Sequence, residues 1–222
     1  MKPLGKVKIN WSPEFAYAIG LLVTDGNLSP DGRHINFTSK DEELVELLAR
    51  ILELKNKIGK KARGYSQNKK YFVIQFGDVL FYRYLQKIGL LPNKSKILEK
   101  IKIPASYFFD FLRGHLDGDG TFHSYFDPRW RNSYMFYTIF MSASKKHIDW
   151  LRSEALRKLR ISGHVTKGKT SSVYQLKFAK AESLKLLAKL YYNPQVVCLS
   201  RKRKKIEEAL AVMDKKLQTR GW

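Results

Sequence analysis

Residues 112–120 read Leu-Arg-Gly-His-Leu-Asp-Gly-Asp-Gly, and residues 18–26 read Ala-Ile-Gly-Leu-Leu-Val-Thr-Asp-Gly. The two stretches share a glycine, a leucine and a terminal Asp-Gly at the same spacing, 94 positions apart. Self-similarity at a fixed distance is the signature of a duplicated structural unit. The chain is therefore predicted to contain two similar halves, each beginning with a helix that ends in Asp-Gly.

Similar patterns follow the two copies. Each is followed by an extended stretch, a helix with one apolar stripe, a basic turn, a strand and a second helix. The strand directly after each copy is the hardest to recognise. The pattern predicts an α+β fold with two pseudo-symmetric αββαββα halves and antiparallel sheets. The halves are placed at 1–100 and 101–222, and the extended stretches at His34–Ser39, Tyr71–Phe76, Tyr134–Ser142 and Val173–Phe178.

Small residues share one face of each repeated helix. Gly20 and Thr24 lie four positions apart, as do Gly114 and Gly118, so each pair lies on one helical face. Glycine inside a helix costs about 1 kcal/mol relative to alanine, so its presence at matching positions needs a compensating contact. We expect these four residues to form an interface in which the two helices pack on each other.

Each of these helices ends in an aspartate. Negative charge is unfavourable at a helix C-terminus, and packing the helices side by side brings Asp25 close to Asp119. Hard divalent cations, which take oxygen ligands, would offset this charge, and Mg²⁺ typically uses one or two carboxylates plus substrate phosphate. Gly26 and Gly120, which follow the acids, are expected in the left-handed conformation that commonly ends a helix.

The charge of the chain indicates a polyanionic partner. The chain has 222 residues, with 42 Lys and Arg against 20 Asp and Glu, for a formal charge of +22. Its 44% hydrophobic content is enough for a real core, and a single cysteine excludes a disulfide scaffold. The most apolar run, Phe15–Val23, is too short to span a membrane, and no secretory signal is visible near the N-terminus. We expect an intracellular nucleic-acid-binding protein that does not bind membranes.

The two stretches resemble the paired motifs of the single-chain LAGLIDADG homing endonucleases. The second copy is close to the signature and departs from it at Arg113, His115 and Gly118, whereas the first copy is looser. The segments Pro92–Ser95 and Leu199–Ile206 also resemble family segments, so the resemblance extends over nearly the whole chain.

The resemblance implies a specific chemistry. Asp25 and Asp119 would bind Mg²⁺ (Mn²⁺ as a substitute, Ca²⁺ as a non-catalytic one), with the backbone carbonyls of Thr24 and Gly118 as further ligands. The two sheets would form a saddle over the DNA major groove. The product would be a double-strand break at a long, asymmetric site, which initiates homing of the encoding element. Since both motifs are in one chain, a monomer is expected to suffice.

Strand alternation and charge indicate which residues would meet DNA. Polar side chains on the strand faces opposite the apolar ones can read base edges, and the basic loops can hold phosphates. By resemblance, a lysine or glutamine near the scissile phosphates assists catalysis, and the candidates are Lys177, Gln75 and Lys40. The repeat mate of Lys40 is either Ser144 or Ala143. The full set of expected DNA contacts is Arg33, His34, Asn36, Thr38, Lys69, Lys70, Gln75, Arg129, Arg131, Lys167, Lys169, Gln175 and Lys177.

Two other functions use the same features. The first is an RNA maturase that binds its host intron RNA, and the second is a DNA-binding regulator that does not cleave. Retention of both Asp25 and Asp119 favours the nuclease over the regulator. It does not separate the nuclease from a bifunctional maturase.

Overall fold

The computed structural model describes residues 5–62, 70–130, 133–168 and 170–218, with side chains up to Asp214. Within these ranges the chain forms two similar halves joined by an irregular segment, residues 89–104. No helix in the described ranges is long and apolar enough to cross a membrane.

The described residues of the first half form three helices and four strands. Helix α1 begins after Ser12, whose side chain accepts a hydrogen bond from the backbone N–H of Phe15 (3.1 Å), and Pro13 starts the helix without leaving an amide unpaired. Gly89 ends α3 with φ 109°, a left-handed conformation that suits glycine. The elements are α1 (Pro13–Asp25), β1 (Gly26–Leu28), β2 (His34–Ser39), α2 (Glu42–Ile51), β3 (Gly59–Lys61), β4 (Tyr71–Gly77) and α3 (Val79–Ile88).

The second half repeats this order and adds a final helix. A short 3₁₀ turn, Ala105–Tyr107, leads into its first helix. The elements are α4 (Phe108–Gly118), β5 (Thr121–Phe126), β6 (Tyr134–Ser142), α5 (Lys145–Leu159), β7 (His164–Lys167), β8 (Tyr174–Ala179), α6 (Lys180–Leu190) and α7 (Ser200–Gln218). The predicted α+β class with two pseudo-symmetric αββαββα halves is confirmed.

Each half contains one antiparallel four-stranded sheet. The strand orders are β1-β2-β4-β3 and β5-β6-β8-β7, so the two sheets have equivalent topologies. Along β2, Ile35 and Phe37 are fully buried, and along β6, Phe136 and Phe140 are fully buried. The inner face of each sheet therefore packs on helices, and the intervening side chains form an outer face.

The ends of the motif helices differ from the sequence-based expectation. Gly26 has φ −77° and ψ 151°, an extended conformation, and Gly120 also lies outside the left-handed region. Glycine is required there for space, because a Cβ at Gly26 would lie 2.8 Å from Cα of Leu22, and one at Gly120 would lie 2.7 Å from the carbonyl oxygen of Leu116. The chain leaves each helix directly into a strand and folds back closely over the last turn.

Candidate metal centre and nucleic-acid interface

Helices α1 and α4 cross at their glycines. A Cβ at Gly20 would overlap the carbonyl oxygen of Phe111 and lie 2.8 Å from the backbone nitrogen of His115. A Cβ at Gly114 would overlap the carbonyl oxygen of Tyr17 and lie 3.2 Å from Cα of Gly20. The two backbones are thus in direct contact, which only glycine permits.

The acidic ends of the two helices lie together. A Cβ at Gly118 would overlap Oγ1 of Thr24 and lie 3.1 Å from Oδ2 of Asp25. Asp119 is the next residue and caps α4. Asp25 is half-buried and Asp119 is exposed. The duplication therefore brings the two carboxylates to one end of the helix pair, open to the side on which the sheets lie.

Two open clefts adjoin these acids. One, of about 620 Å³, is lined by Asp25 and Gly118, and the other, of about 530 Å³, is lined by Asp119. Thr24, Lys94 and Ser95 line both clefts, so the clefts meet between the helix ends. Among the described residues, no group of three or more His, Cys, Asp or Glu side chains is placed to hold a metal ion. A cation bound at the helix ends would take carboxylate and backbone carbonyl oxygens there as ligands, with further ligands from solvent and substrate.

A lysine reaches each helix end from a distant segment. The Lys94 ammonium donates to the carbonyl oxygen of Gly26, 68 residues away. The Lys202 ammonium donates to the carbonyl oxygens of Gly120 (2.6 Å), Leu116 (2.6 Å) and Asp117 (2.8 Å). The two lysines hold equivalent positions in the two halves, since Gly26 and Gly120 are repeat mates. Positive charge at a helix C-terminus is favourable, and each lysine supplies it.

The two lysines have pKa values shifted toward neutrality. Burial lowers the pKa of Lys94 to about 8, although Asp25 and Asp119 both act to raise it. Burial also lowers the pKa of Lys202 to about 8, against the opposing effect of the Asp117 carboxylate. Near neutral pH both groups are mostly protonated, and each can still give up a proton.

The surroundings of the two acids differ. Ser39 and Ser142 end the central strands, and their side chains accept hydrogen bonds from the backbone N–H groups of Asp41 and Ser144 (3.1 Å each). Lys40 is therefore the structural counterpart of Ala143, and Asp41 that of Ser144. Lys40, Lys61, Tyr71 and Arg201 line the Asp25 cleft, whereas Met141, Ala143, Val173 and Gln175 are among the residues that line the Asp119 cleft.

Comparisons with known proteins agree with this geometry. Residues 12–89, which include α1 and the first sheet, match the family model described as LAGLIDADG-like domain. The chain is a two-half protein of the LAGLIDADG fold. The resemblance stated from the two motifs is confirmed, and α1, which carries the first motif, lies within the matched residues. No curated protein sequence matches the chain.

Solved structures with the LAGLIDADG fold cover most of the chain. The LAGLIDADG meganuclease I-AabMI bound to uncleaved DNA has a TM-score of 0.62 and 14% identity, over 94% of this chain and 92% of that one. I-DmoI in complex with DNA and Mn has a TM-score of 0.52 and 17% identity, over 82% and 98%. Full-length DUF199/WhiA from Thermatoga maritima has a TM-score of 0.56 and 15% identity, over 97% and 64%. At these identities the likeness establishes the fold.

The outer face of the first sheet is polar. Asn27 pairs with Asn36 across β1 and β2, and Asn36 pairs with Gln75 across β2 and β4, which places three amides in one row. Next to this row on β2, Thr38 and His34 point the same way, and His34 hydrogen-bonds to Asp31 in the preceding turn. Asparagine and glutamine amides can pair with adenine edges, so this face suits base recognition in a major groove.

The other expected DNA contacts are dispersed around the sheets. Arg33, Lys70, Arg129 and Lys167 are exposed at loops or strand ends, whereas Gln175 and Lys177 lie on the outer face of β8. Lys69, Arg131 and Lys169 lie outside the described residues.

The three predicted catalytic side chains are not equivalent in position. Lys40 lines the Asp25 cleft, but Lys177 and Gln75 line neither cleft. Strand β8 starts near Asp119, where Gln175 lines the cleft, and then runs outward, so Lys177 lies farther along the face.

The lysines in contact with the helix ends are instead Lys94 and Lys202. Both lie in segments noted for their family resemblance, Pro92–Ser95 and Leu199–Ile206, and that resemblance is the only pointer to them that the sequence analysis contains.

A buried polar network fixes the C-terminal segment to α4. Oδ2 of Asp117 accepts hydrogen bonds from the Tyr17 hydroxyl (2.8 Å) and the backbone N–H of Leu199 (2.7 Å). The Arg113 guanidinium donates to the carbonyl oxygens of Val197 and Leu190 (2.8 Å each). Burial raises the pKa of Asp117 to about 6. These contacts position residues 197–202, and through them Lys202, behind the acidic centre.

Proposed function

We propose that this protein is a site-specific double-stranded DNA endonuclease that hydrolyses phosphodiester bonds with divalent metal ions. The observation that carries the proposal is the convergence of Asp25 and Asp119 at the end of two helices in backbone contact, between two open antiparallel sheets. Support comes from the +22 charge and from likeness to nucleases bound to DNA. In this proposal the chain divides at residue 100, acts as a monomer, and serves the homing of the element that encodes it.

The donor set fits a hard divalent cation. The ligands that this proposal assigns at the helix ends are oxygens: the carboxylates of Asp25 and Asp119 and the backbone carbonyls of Thr24 and Gly118, residues that line the two clefts. Oxygen ligands suit Mg²⁺ and Mn²⁺, and Mg²⁺ is usually held by only one or two carboxylates together with phosphate oxygens. When bound, such a cation supplies Lewis-acid charge at the scissile phosphate and lowers the pKa of water.

The remaining residues position the DNA and place positive charge near the two acids. The outer faces of the two sheets bind the flanking major grooves, which places the central phosphates over the two clefts. Lys94 and Lys202 keep positive charge beside the acids, and each ammonium can hold or release a proton because its pKa is about 8. Lys40, which is exposed at the Asp25 cleft, contributes a further cation near one scissile phosphate.

A DNA-binding protein without cleavage is the second candidate. The observation that favours it is Lys94, which lines both clefts and whose ammonium interacts favourably with both Asp25 and Asp119. In the Asp119 cleft, Ala143 and Val173 also occupy the positions that Lys40 and Tyr71 hold in the Asp25 cleft. Such a centre could serve only to hold the two halves together.

Cleavage of a randomised duplex library in Mg²⁺ separates the candidates. The nuclease should cut one family of long sequences on both strands, and Asp25→Asn or Asp119→Asn should abolish double-strand cutting while duplex binding persists. Asp149→Asn is the matched control, because Asp149 is exposed on α5 and pairs with Lys145 (2.5 Å), outside both clefts. Undiminished cutting by either motif variant would refute the metal assignment, and binding without any cutting would support the second candidate.

A further inference from the structure

The outer face of the second sheet differs in chemistry from that of the first. Its central strand, β6, turns Met135, Tyr137, Ile139 and Met141 outward, and each is only partly buried. On the first sheet the corresponding strand β2 turns His34, Asn36 and Thr38 outward. The row of three amides, Asn27, Asn36 and Gln75, is matched in the second half by the row Thr121, Ile139 and Lys177.

The outward side chains of β6 form an apolar face that is continuous with the acidic centre. Met141 and Gln175 face each other across β6 and β8, and both line the Asp119 cleft. From there the face runs outward through Ile139 and Tyr137 to Met135, a distance of about 20 Å at 3.2–3.4 Å per residue. A duplex seated over the cleft would pass along this face for about six base pairs at 3.4 Å each.

The surroundings of the face are basic. Lys177 lies opposite Ile139, and His164 of β7 lies opposite Lys177. Arg129 is exposed in the loop that joins β5 to β6, at the outer end of the face. An apolar centre with cations around it suits a duplex, whose phosphates meet the margins while the base edges meet the centre.

We propose that the second sheet reads thymine C5-methyl groups in its half of the target, whereas the first sheet reads hydrogen-bonding edges. The inference rests on the proposed binding of duplex DNA. The thymine methyl is the one apolar group on the major-groove edge of the four bases, and side chains such as those on β6 can bury it. The polar edges of guanine and cytosine would lose hydration against the same side chains without gaining a hydrogen bond.

The aromatic side chains at the outer end of the face do not suit unpaired bases. The rings of His123 and Tyr125 stack with centroids 5.4 Å apart and planes 27° apart, and those of Tyr125 and Tyr137 stack at 6.4 Å and 9°. Ring faces turned toward each other are not open for stacking on a base, which is how single strands are usually held.

Uracil substitution tests the inference, because uracil is thymine without the methyl group. A duplex selected from a random library by binding in EDTA is remade with uracil in one half-site at a time. In the half-site bound by the second sheet, affinity should fall about fourfold for each contacted methyl group that is removed. In the half-site bound by the first sheet, replacing all thymines together should lower affinity less than twofold. Ile139→Asn, which installs the residue found at its counterpart Asn36, should remove the loss at one position in the sensitive half. Asn36→Ile, the reciprocal control, should leave the sensitive half unchanged.

The outcomes distinguish this inference from the proposed function. Failure to bind any duplex would refute both. Specific binding and cleavage with equal uracil effects in the two halves, or with uracil sensitivity unchanged in Ile139→Asn, would overturn the inference alone. Tighter binding of a single strand than of the duplex, lost in Tyr137→Ala, would also overturn it and assign the face to unpaired bases.

Discussion

Replacing Gly114 with alanine should destabilise the protein, although alanine is the better helix former. In an ordinary helix interior the change would stabilise by about 1 kcal/mol. At Gly114 the new Cβ would overlap the carbonyl oxygen of Tyr17 on the facing helix, and at Gly20 it would overlap that of Phe111. Backbone atoms cannot turn aside as side chains do, so the two helices would have to separate.

The expected magnitude follows from these two opposing terms. Overpacking a well-packed site typically costs about 1–3 kcal/mol, and contact with rigid backbone belongs at the upper end. After the propensity gain of about 1 kcal/mol, a net destabilisation of about 2 kcal/mol remains. Gly59→Ala is the control, since its Cβ would meet only Val73, with the nearest atom at 3.6 Å, and should change stability by less than about 0.5 kcal/mol.

Equilibrium urea unfolding of the full chain, followed by tryptophan fluorescence, measures the free energy of unfolding for each variant. Gly114→Ala and Gly20→Ala should both unfold at lower urea than the parent. If either variant were more stable than the parent, the direct backbone contact of α1 and α4, and with it the closeness of Asp25 to Asp119, would be refuted.

Four further predictions concern Lys202, Lys40, the buried Asp117 and the buried His147 of α5, whose Nδ1 lies 2.7 Å from the carbonyl oxygen of Glu99. Lys202→Met should destabilise by more than about 2 kcal/mol, because three buried carbonyl oxygens lose their donor; calorimetry showing an unchanged melting temperature would contradict this. Burial raises the pKa of Asp117 to about 6, so its folded form holds a proton that the unfolded chain releases above about pH 4. The parent should therefore lose about 2 kcal/mol relative to Asp117→Asn as pH rises from 4 to 6, measured by urea unfolding across that range. Burial lowers the pKa of His147 to about 4, so this residue makes the protein less stable as pH falls. Relative to His147→Gln, the parent should lose about 3 kcal/mol of unfolding free energy as pH falls from 6.5 to 4. A stability difference that does not change with pH would exclude a buried neutral ring. Lys40→Ala should slow cutting of the DNA strand at the Asp25 cleft and leave cutting of the other strand unchanged, so that nicked duplex accumulates. Strand-specific end labels measure the two cleavage rates. Equal slowing of the two strands would count against a role at one cleft only.

The fold was predictable where the chain alternates regularly. His34–Ser39 and Tyr134–Ser142 form strands with the predicted bounds, because apolar residues recur at every second position of the first and apolar or aromatic residues fill the second. Sequence alone could not orient the second of these strands, since both of its faces carry aromatic or apolar side chains. Its orientation is set by packing of Phe136 and Phe140 against the helices, which is a tertiary effect.

The acidic centre was predictable from the duplication, but its cations were not. Asp25 and Asp119 repeat at a fixed spacing beside a small-residue face, which is a local signal. Lys94 and Lys202 reach the helix ends from 68 and 82 residues away, and no local pattern encodes such a contact. Local preference predicts a left-handed conformation for Gly26 and Gly120. In the structure, glycine is required at these positions because the chain folds back tightly over the last helical turn.

The acidic centre draws on four separate parts of the chain, and this sets when it can exist during translation. Asp25 and Asp119 emerge from the ribosome well before Lys202, and Arg201, which pairs with Asp41 (2.6 Å), ties the late segment to the early half. The nascent chain therefore contains Asp25 and Asp119 long before the acidic centre can be complete. Because synthesis runs from the N-terminus, the centre cannot be completed until Lys202 has emerged from the ribosome.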